Sequence, residues 1–266
     1  MKKIVGVAFS MLMLCSLLLV GIASAGNPAY SMTCHTGAAF VTINGVWATA
    51  EWDEGEPVNM SNNARFTHAT RTTGIGMDFM IEVFDDNTDD VGDLWQICID
   101  SDNSGGAAPD TDDYMFEIQG HTTLNTYKGN GTGWVPITPD FQEVTWADSI
   151  TATPWNAAPH WMFELRDGDR EQGQIKVGDP PNGLRVAAYD ASTNTTSSWA
   201  PDSDADVPST WGVIANYDPE AYIPEGFSIV FLVLLSSVAV VVSFYFMRKR
   251  PKTARYSSAK TAINTL

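Results

Sequence analysis

Apolar and polar residues alternate with a period of two over three successive stretches in the first half of the chain. From Ile75 to Phe84, the side chains of Ile75, Met77, Phe79, Ile81 and Val83 fall on one face, and Asp78 and Glu82 on the other. This is the pattern of a strand with one face in a core. A second stretch puts Trp95, Ile97 and Ile99 together, and a third does so with Tyr114, Phe116 and Ile118. Shorter apolar runs recur at Phe40–Ile43, Val144, Trp161, Val186 and Trp211–Ile214, separated by Gly, Pro, Asn and Asp. No window carries the 3.6-residue period and caps of an amphipathic helix. The pattern predicts an all-β domain, a sandwich built from short strands.

The connections between the three alternating stretches are acidic. Asp85–Asp90, Asp100–Gly106 and Asp110–Asp113 carry most of the carboxylates of that region. Oxygen-rich loops suit a hard cation such as calcium, which takes six to eight oxygen ligands. Asp100, Asp102, Ser104 and Gly105 imitate the start of an EF-hand loop, but Thr111 stands where its bidentate glutamate belongs and no helices flank it. The expectation is a calcium site in an irregular loop, using Asp100, Asp102, Asp110 and Asp112, with a merely solvated acidic loop as the alternative.

Hydropathy at the two ends changes the picture. Residues 1–25 combine Lys2 and Lys3, an apolar run and Ala23-Ser-Ala25, the signature of a signal peptide, which would carry Cys15 away with it. Residues 226–247 contain no charge and are long enough to cross a hydrocarbon core of about 30 Å. Five basic residues follow within 248–255, so the C-terminus is expected in the cytoplasm and residues 26–225 outside. The expected order is an N-terminal arm (26–39), the sandwich (40–215), a short stalk (216–225), the membrane helix and a basic tail (248–266). Pro224-Glu225-Gly226, the span and the basic cluster resemble archaeal C-terminal sorting tails, although 16 residues follow Arg250.

Charge divides along the same boundaries. All 32 acidic residues lie within 26–225 with seven basic ones, which leaves that segment at −25. Such a surface repels nucleic acid and excludes it as a partner. Two cysteines remain after cleavage, Cys34 and Cys98, in a compartment that permits disulfides. With no third thiol present, a Cys34–Cys98 bond is expected. Cys34-His35 does not complete a haem-attachment motif, because Ser31 occupies the place of the first cysteine.

The phrase Ile43-Asn-Gly-Val-Trp-Ala-Thr-Ala-Glu-Trp52, the acid-ended strand Phe79–Asp86, and Ile99-Asp-Ser-Asp102 leading to Gly106 resemble family-9 carbohydrate-binding modules and their DOMON-type relatives. Trp161–Leu165 and Gly183–Asp190 look like the returning strands of the same pattern. The resemblance implies a β-sandwich of jelly-roll or immunoglobulin-like type and non-catalytic binding of a polysaccharide or surface glycan. Trp134, Trp155 and Trp199 lie in Gly-, Pro- or Ser-rich stretches, where exposed rings would stack on sugars. Trp47, Trp52 and Trp95 read as core.

DOMON relatives also include haem b domains held by methionine with histidine or lysine. Met60, Met77, Met80, Met115 and Met162 with His68, His121, His160 or Lys128 are the candidates for that alternative. A structural surface protein without a small ligand is the third reading. No G-x-S-x-G or metalloprotease spacing is present, so no enzyme is expected. Asn59-Met-Ser61, Asn130-Gly-Thr132 and Asn194-Thr-Thr196 match the glycosylation acceptor, which places them on exposed loops.

Overall fold

Among the described residues thirteen strands make two sheets. The structure is a computed structural model that describes residues 25–34, 41–52, 57–70, 77–138, 144–167 and 181–215. The strands are β1 (Ser31–Thr33), β2 (Val58–Asn59), β3 (Ala64–Thr70), β4 (Met77–Val83), β5 (Leu94–Asp100), β6 (Asp113–Gln119) and β7 (Thr123–Gly129). They continue with β8 (Trp134–Ile137), β9 (Thr145–Thr153), β10 (Asn156–Arg166), β11 (Asn182–Asp190), β12 (Thr195–Trp199) and β13 (Gly212–Ala215). The eight-stranded sheet runs β1-β13-β11-β5-β6-β7-β8, with β12 also paired to β11, and the five-stranded sheet runs β2-β3-β4-β10-β9. All pairings are antiparallel except β1 with β13.

The inner faces of the two sheets meet in one core. Ile97, Ile99, Phe116, Ile118 and Val186 come from the large sheet, and Phe66, Phe79, Ile81, Phe163 and Leu165 from the small one. Trp95 stacks on Phe163 across the gap, with ring centroids 5.5 Å apart and planes 10° from parallel. The expected β-sandwich is therefore present. Met77, Phe79, Ile81 and Val83 of β4, Trp95, Ile97 and Ile99 of β5, and Phe116 and Ile118 of β6 lie in this core, with Tyr114 packed against it; Ile75 lies outside the described residues.

Three expectations need correction. β4 is buried on both faces, not one. Asp78 is covered where residues 41–52 fold back over the outer face of the small sheet and pack Val41 and Trp52 against Met80 and Met162, and Glu82 is covered by Arg65 and His160. Residues 41–43 lay down that cover without forming a strand. Part of the N-terminal arm is by contrast a strand: β1 adds to β13, which lies between β1 and β11.

The third correction concerns the cysteines. Cys34 and Cys98 are both free and buried. Cys34 joins the core between the sheets, whereas Cys98 alternates with Ile97 and Ile99 and so points out of the opposite face, under Trp211. A bond would have to pass through the sheet. Burial pushes the Cys34 thiol up to about 12, with Asp167 adding to it, and burial pushes Cys98 up to about 11.

No helix among the described residues is long and apolar enough to cross a membrane. The proposed signal peptide up to residue 24, the stalk, the 226–247 span and the basic tail lie outside the described residues.

Candidate functional site

The outer face of the large sheet carries a half-exposed polar array. Strand register places Asn125 opposite Glu117, Glu117 opposite Gln96, and Gln96 opposite Ala187. The neighbouring row runs Tyr127, Met115, Cys98, Arg185. Hydrogen bonds hold Arg185, Gln96, Glu117 and Tyr127 in place. Arg185 donates from Nε to the Ser203 carbonyl at 3.1 Å and from Nη1 to Gln96 Oε1 at 2.9 Å, and Gln96 Nε2 donates to Glu117 Oε2 at 2.8 Å. Tyr127 also bonds Glu117, and burial with that carboxylate raises its phenol above the usual value. Gln96, Glu117 and Tyr127 thus stand half-buried on one face, and the buried Arg185 guanidinium fixes Gln96 from beneath.

Trp134 closes one end of this array. Its ring lies parallel to Trp211, 2° off and 6.2 Å between centroids. Both indoles donate to one loop, Trp134 to the Ala205 carbonyl at 3.2 Å and Trp211 to the Asp204 carbonyl at 2.7 Å. Trp211 is fully buried, while Trp134 keeps part of its surface exposed.

The three tryptophans expected to be exposed have three different fates. Trp155 is 41% exposed and lies over the small sheet. The Arg65 guanidinium covers one face of its ring at 3.6 Å, and Trp47 meets its edge at 6.0 Å. Trp134 is half-buried. Trp199 is 6% exposed and packs on Phe66 at 5.6 Å. Trp199 is therefore a core residue, placed there by the pairing of Val186 with Trp199 between β11 and β12. The three residues do not form one site.

Beneath Trp155 lies a buried charged chain. Arg65 pairs with Glu82 at 2.5 Å, and Glu82 Oε1 meets His160 Nε2 at 3.1 Å. Burial opposes the charge on Glu82, but His160, Thr153 and Arg65 outweigh it and hold the carboxyl below its usual range. Burial likewise opposes the charge on His160, and Glu82 and the Ala158 carbonyl overcome it and raise the imidazole. A second histidine, His121, is raised in the same way, with Asp148 at 2.7 Å and Asp93 at 3.0 Å outweighing its burial. Its ring stacks on Trp161 at 3.6 Å.

Among the described residues neither His121 nor His160 touches a serine, threonine or cysteine nucleophile. Met60, Met77, Met80, Met115 and Met162 are all buried side chains of packed clusters, and His68 meets the Thr33 carbonyl at 3.1 Å.

The acidic loop after β5 divides the four expected calcium ligands. Asp100 and Asp112 come together, and Asp113 joins them. Asp102 and Asp110 instead hold the loop: Asp102 accepts the Ser104 amide at 2.9 Å, and Asp110 accepts the Ser104 hydroxyl at 3.2 Å and the Asp112 amide at 3.2 Å. Burial first, then neighbouring carboxylates, pushes Asp100 up to about 6, Asp112 to about 7 and Asp113 to about 8. The three glycosylation acceptors, Asn59, Asn130 and Asn194, are all exposed.

Sequence reasoning missed Gln96, Glu117, Asn125, Arg185 and Asp113. Alternation assigns the first three to the faces opposite their apolar neighbours, which was legible. That these faces align side by side depends on register between strands, which was not.

No family model and no curated protein matches this sequence. Solved structures do resemble it. A family-9 carbohydrate-binding module from Caldicellulosiruptor kristjanssonii, solved with glucose, superposes with a TM-score of 0.52 at 13% identity over 73% of this chain and 99% of the module. A family-9 module of the same organism, solved with cellotriose, gives 0.49 at 13% identity over 73% and 98%. The fold is that of family-9 carbohydrate-binding modules, as the motif around Asn44-Gly45 and Glu51-Trp52 leads one to expect.

Proposed function

We propose that this chain binds carbohydrate without catalysis, on the outer face of its large sheet, and that the 226–247 segment anchors it at the cell surface. The observation that carries the reading is the half-buried row Asn125, Glu117, Gln96, in which Gln96 and Glu117 are held by hydrogen bonds to each other, to buried Arg185 and to Tyr127, with Trp134 at its margin. Planar side chains with paired donors and acceptors match vicinal hydroxyls, and holding them in place beforehand reduces the entropy lost on binding. An aromatic ring at the edge supplies an apolar face for a sugar ring. The likeness to a module solved with glucose supports this choice of ligand class. The uncharged span followed by basic residues supports the anchor.

The test is retention of the purified full chain on a broad glycan array. Binding is expected to be weak, and Glu117→Ala and Gln96→Ala should each reduce it at least tenfold with little change in melting temperature. Trp155→Ala should leave it intact, because that ring serves the other sheet. A folded wild-type chain that retains no glycan would overturn the proposal and leave a structural surface protein. Loss of binding in Trp155→Ala alone would move the site to the small sheet.

A further inference from the structure

Hydrogen-bonding capacity is unevenly spent across the outer face of the large sheet. Gln96 has its amide orientation settled, because its oxygen accepts from Arg185 at 2.9 Å and its nitrogen donates to Glu117 at 2.8 Å. Arg185 is buried and directs its guanidinium to the Ser203 carbonyl and to Gln96, so its charge is spent inside the protein. Glu117 receives Gln96 and Tyr127, both uncharged donors. Among the described residues no arginine, lysine or histidine forms an ion pair with it. An ionised carboxylate has about four lone-pair positions, so two donors leave Glu117 with acceptor capacity at a half-buried position.

The surroundings of this carboxylate favour positive charge. Asn125 stands directly opposite Glu117 across β7 and β6, also half-buried, and its amide oxygen is a second acceptor for one ligand. Tyr127 and Trp134 border the array, and the negative faces of such rings attract cations. Residues 26–225 carry 32 acidic side chains against seven basic ones. A surface of that balance concentrates cations and repels anions.

We propose that Glu117 makes this face selective for sugars that bear a free, protonated amino group, over neutral and acidic sugars; the proposal rests on the outer face being the carbohydrate site. A sugar ammonium brings three donors and a positive charge to Glu117 and Asn125. Both partners of that contact are charged, whereas a hydroxyl offers a neutral donor, and doubly charged hydrogen bonds are the stronger ones. N-acetylation removes the charge and leaves one N–H. A uronic acid sets a second carboxylate against Glu117, with the Arg185 charge already committed elsewhere.

The test measures the affinity of the purified full chain by calorimetry, at a pH low enough to protonate a sugar amine. The probes are the trisaccharide of β-1,4-linked glucosamine, its N-acetylated form, cellotriose and a uronic acid trimer. The glucosamine trimer should bind about tenfold tighter than cellotriose or the N-acetylated form, and the uronic acid trimer should bind weakest. Added sodium chloride should narrow the gap. Glu117→Gln keeps the shape of the side chain and should abolish the gap. If that variant does not fold, Asn125→Lys sets a cation opposite Glu117, a pairing that sheets accept, and should abolish the gap as well. Asp85→Asn removes an exposed charge beyond the end of β4, in the other sheet, and should preserve it. Equal affinity for the glucosamine trimer and cellotriose, or a gap that survives in Glu117→Gln or Asn125→Lys, overturns the selectivity and leaves carbohydrate binding in place. A folded chain that binds none of the probes and no glycan on the array overturns both.

Discussion

The indole nitrogen of Trp52 donates to Glu164 Oε1 at 2.9 Å, across 112 residues of sequence. The other oxygen of the same carboxylate accepts the Asn44 amide at 2.8 Å and the Gly45 amide at 2.9 Å. Gly45 takes a positive φ of 73° to bring its amide there, and a methyl group at that position would lie 2.7 Å from the Asp148 backbone. The Asn-Gly turn and the tryptophan of the Glu-Trp pair, taken from the two features of the motif that pointed to the fold, thus converge on one buried carboxylate. Their shared role is to close the 41–52 segment over the small sheet.

Removing that anchor should be expensive. Glu164→Ala leaves two buried donors, the Gly45 amide and the Trp52 indole, unpaired and is expected to cost about 2–4 kcal/mol in urea denaturation. Trp52→Phe keeps most of the packing but takes one donor from the carboxylate, so about 1–3 kcal/mol is expected. Glu164→Ala matching wild-type stability would mean that the segment is held by apolar packing alone.

The tryptophans should separate by burial. Trp199→Ala removes a core ring and is expected to cost about 3–5 kcal/mol. Trp155→Ala removes a ring that is largely exposed and lies over Arg65; a stacked cation of this kind is worth about 0.5–2 kcal/mol. Thermal or chemical denaturation of the two variants checks the order.

Stability should depend on pH through His121. Its folded value is raised above the usual imidazole value, so its contribution is complete below about pH 6.5 and is lost as pH rises through the folded value. His121→Asn should flatten the stability profile above that point and lower stability below it. Asparagine suits the position, because His121 has a φ of 57° and asparagine tolerates this conformation better than most residues. His160 shifts in the same direction, so part of the slope should survive the substitution; its disappearance would place the whole effect at His121.

Both thiols should be silent in the folded chain. Thiolate is the reactive form, and burial raises both groups well above the usual value. Titration with a thiol reagent should find neither Cys34 nor Cys98 in native protein and both after unfolding without reductant. A reductant should leave the melting temperature unchanged. Finding no thiol after unfolding would restore the disulfide.

Period-two alternation was enough to assign β4, β5 and β6 and the inward residues of each, because a strand sends successive side chains to opposite sides whatever surrounds it. The Asn-Gly and Glu-Trp features were legible for a similar reason: they depend on local turn chemistry and on a motif of fixed spacing. What the sequence left open was the use of the opposite faces. Asp78 and Glu82 read as solvent-facing until residues 41–52 were seen to cover the first, and Arg65 and His160 the second. Cys34 and Cys98 read as partners until the sheet was seen to stand between them. Trp199 read as exposed because its neighbours are serine and threonine, yet pairing with Val186 turns its ring toward Phe66. Likewise Asp113 gained its place beside Asp100 from the register of two strands, and Gln96 its place between Glu117 and Arg185. Alternation says which residues share a face; contacts between residues distant in sequence decide what that face meets.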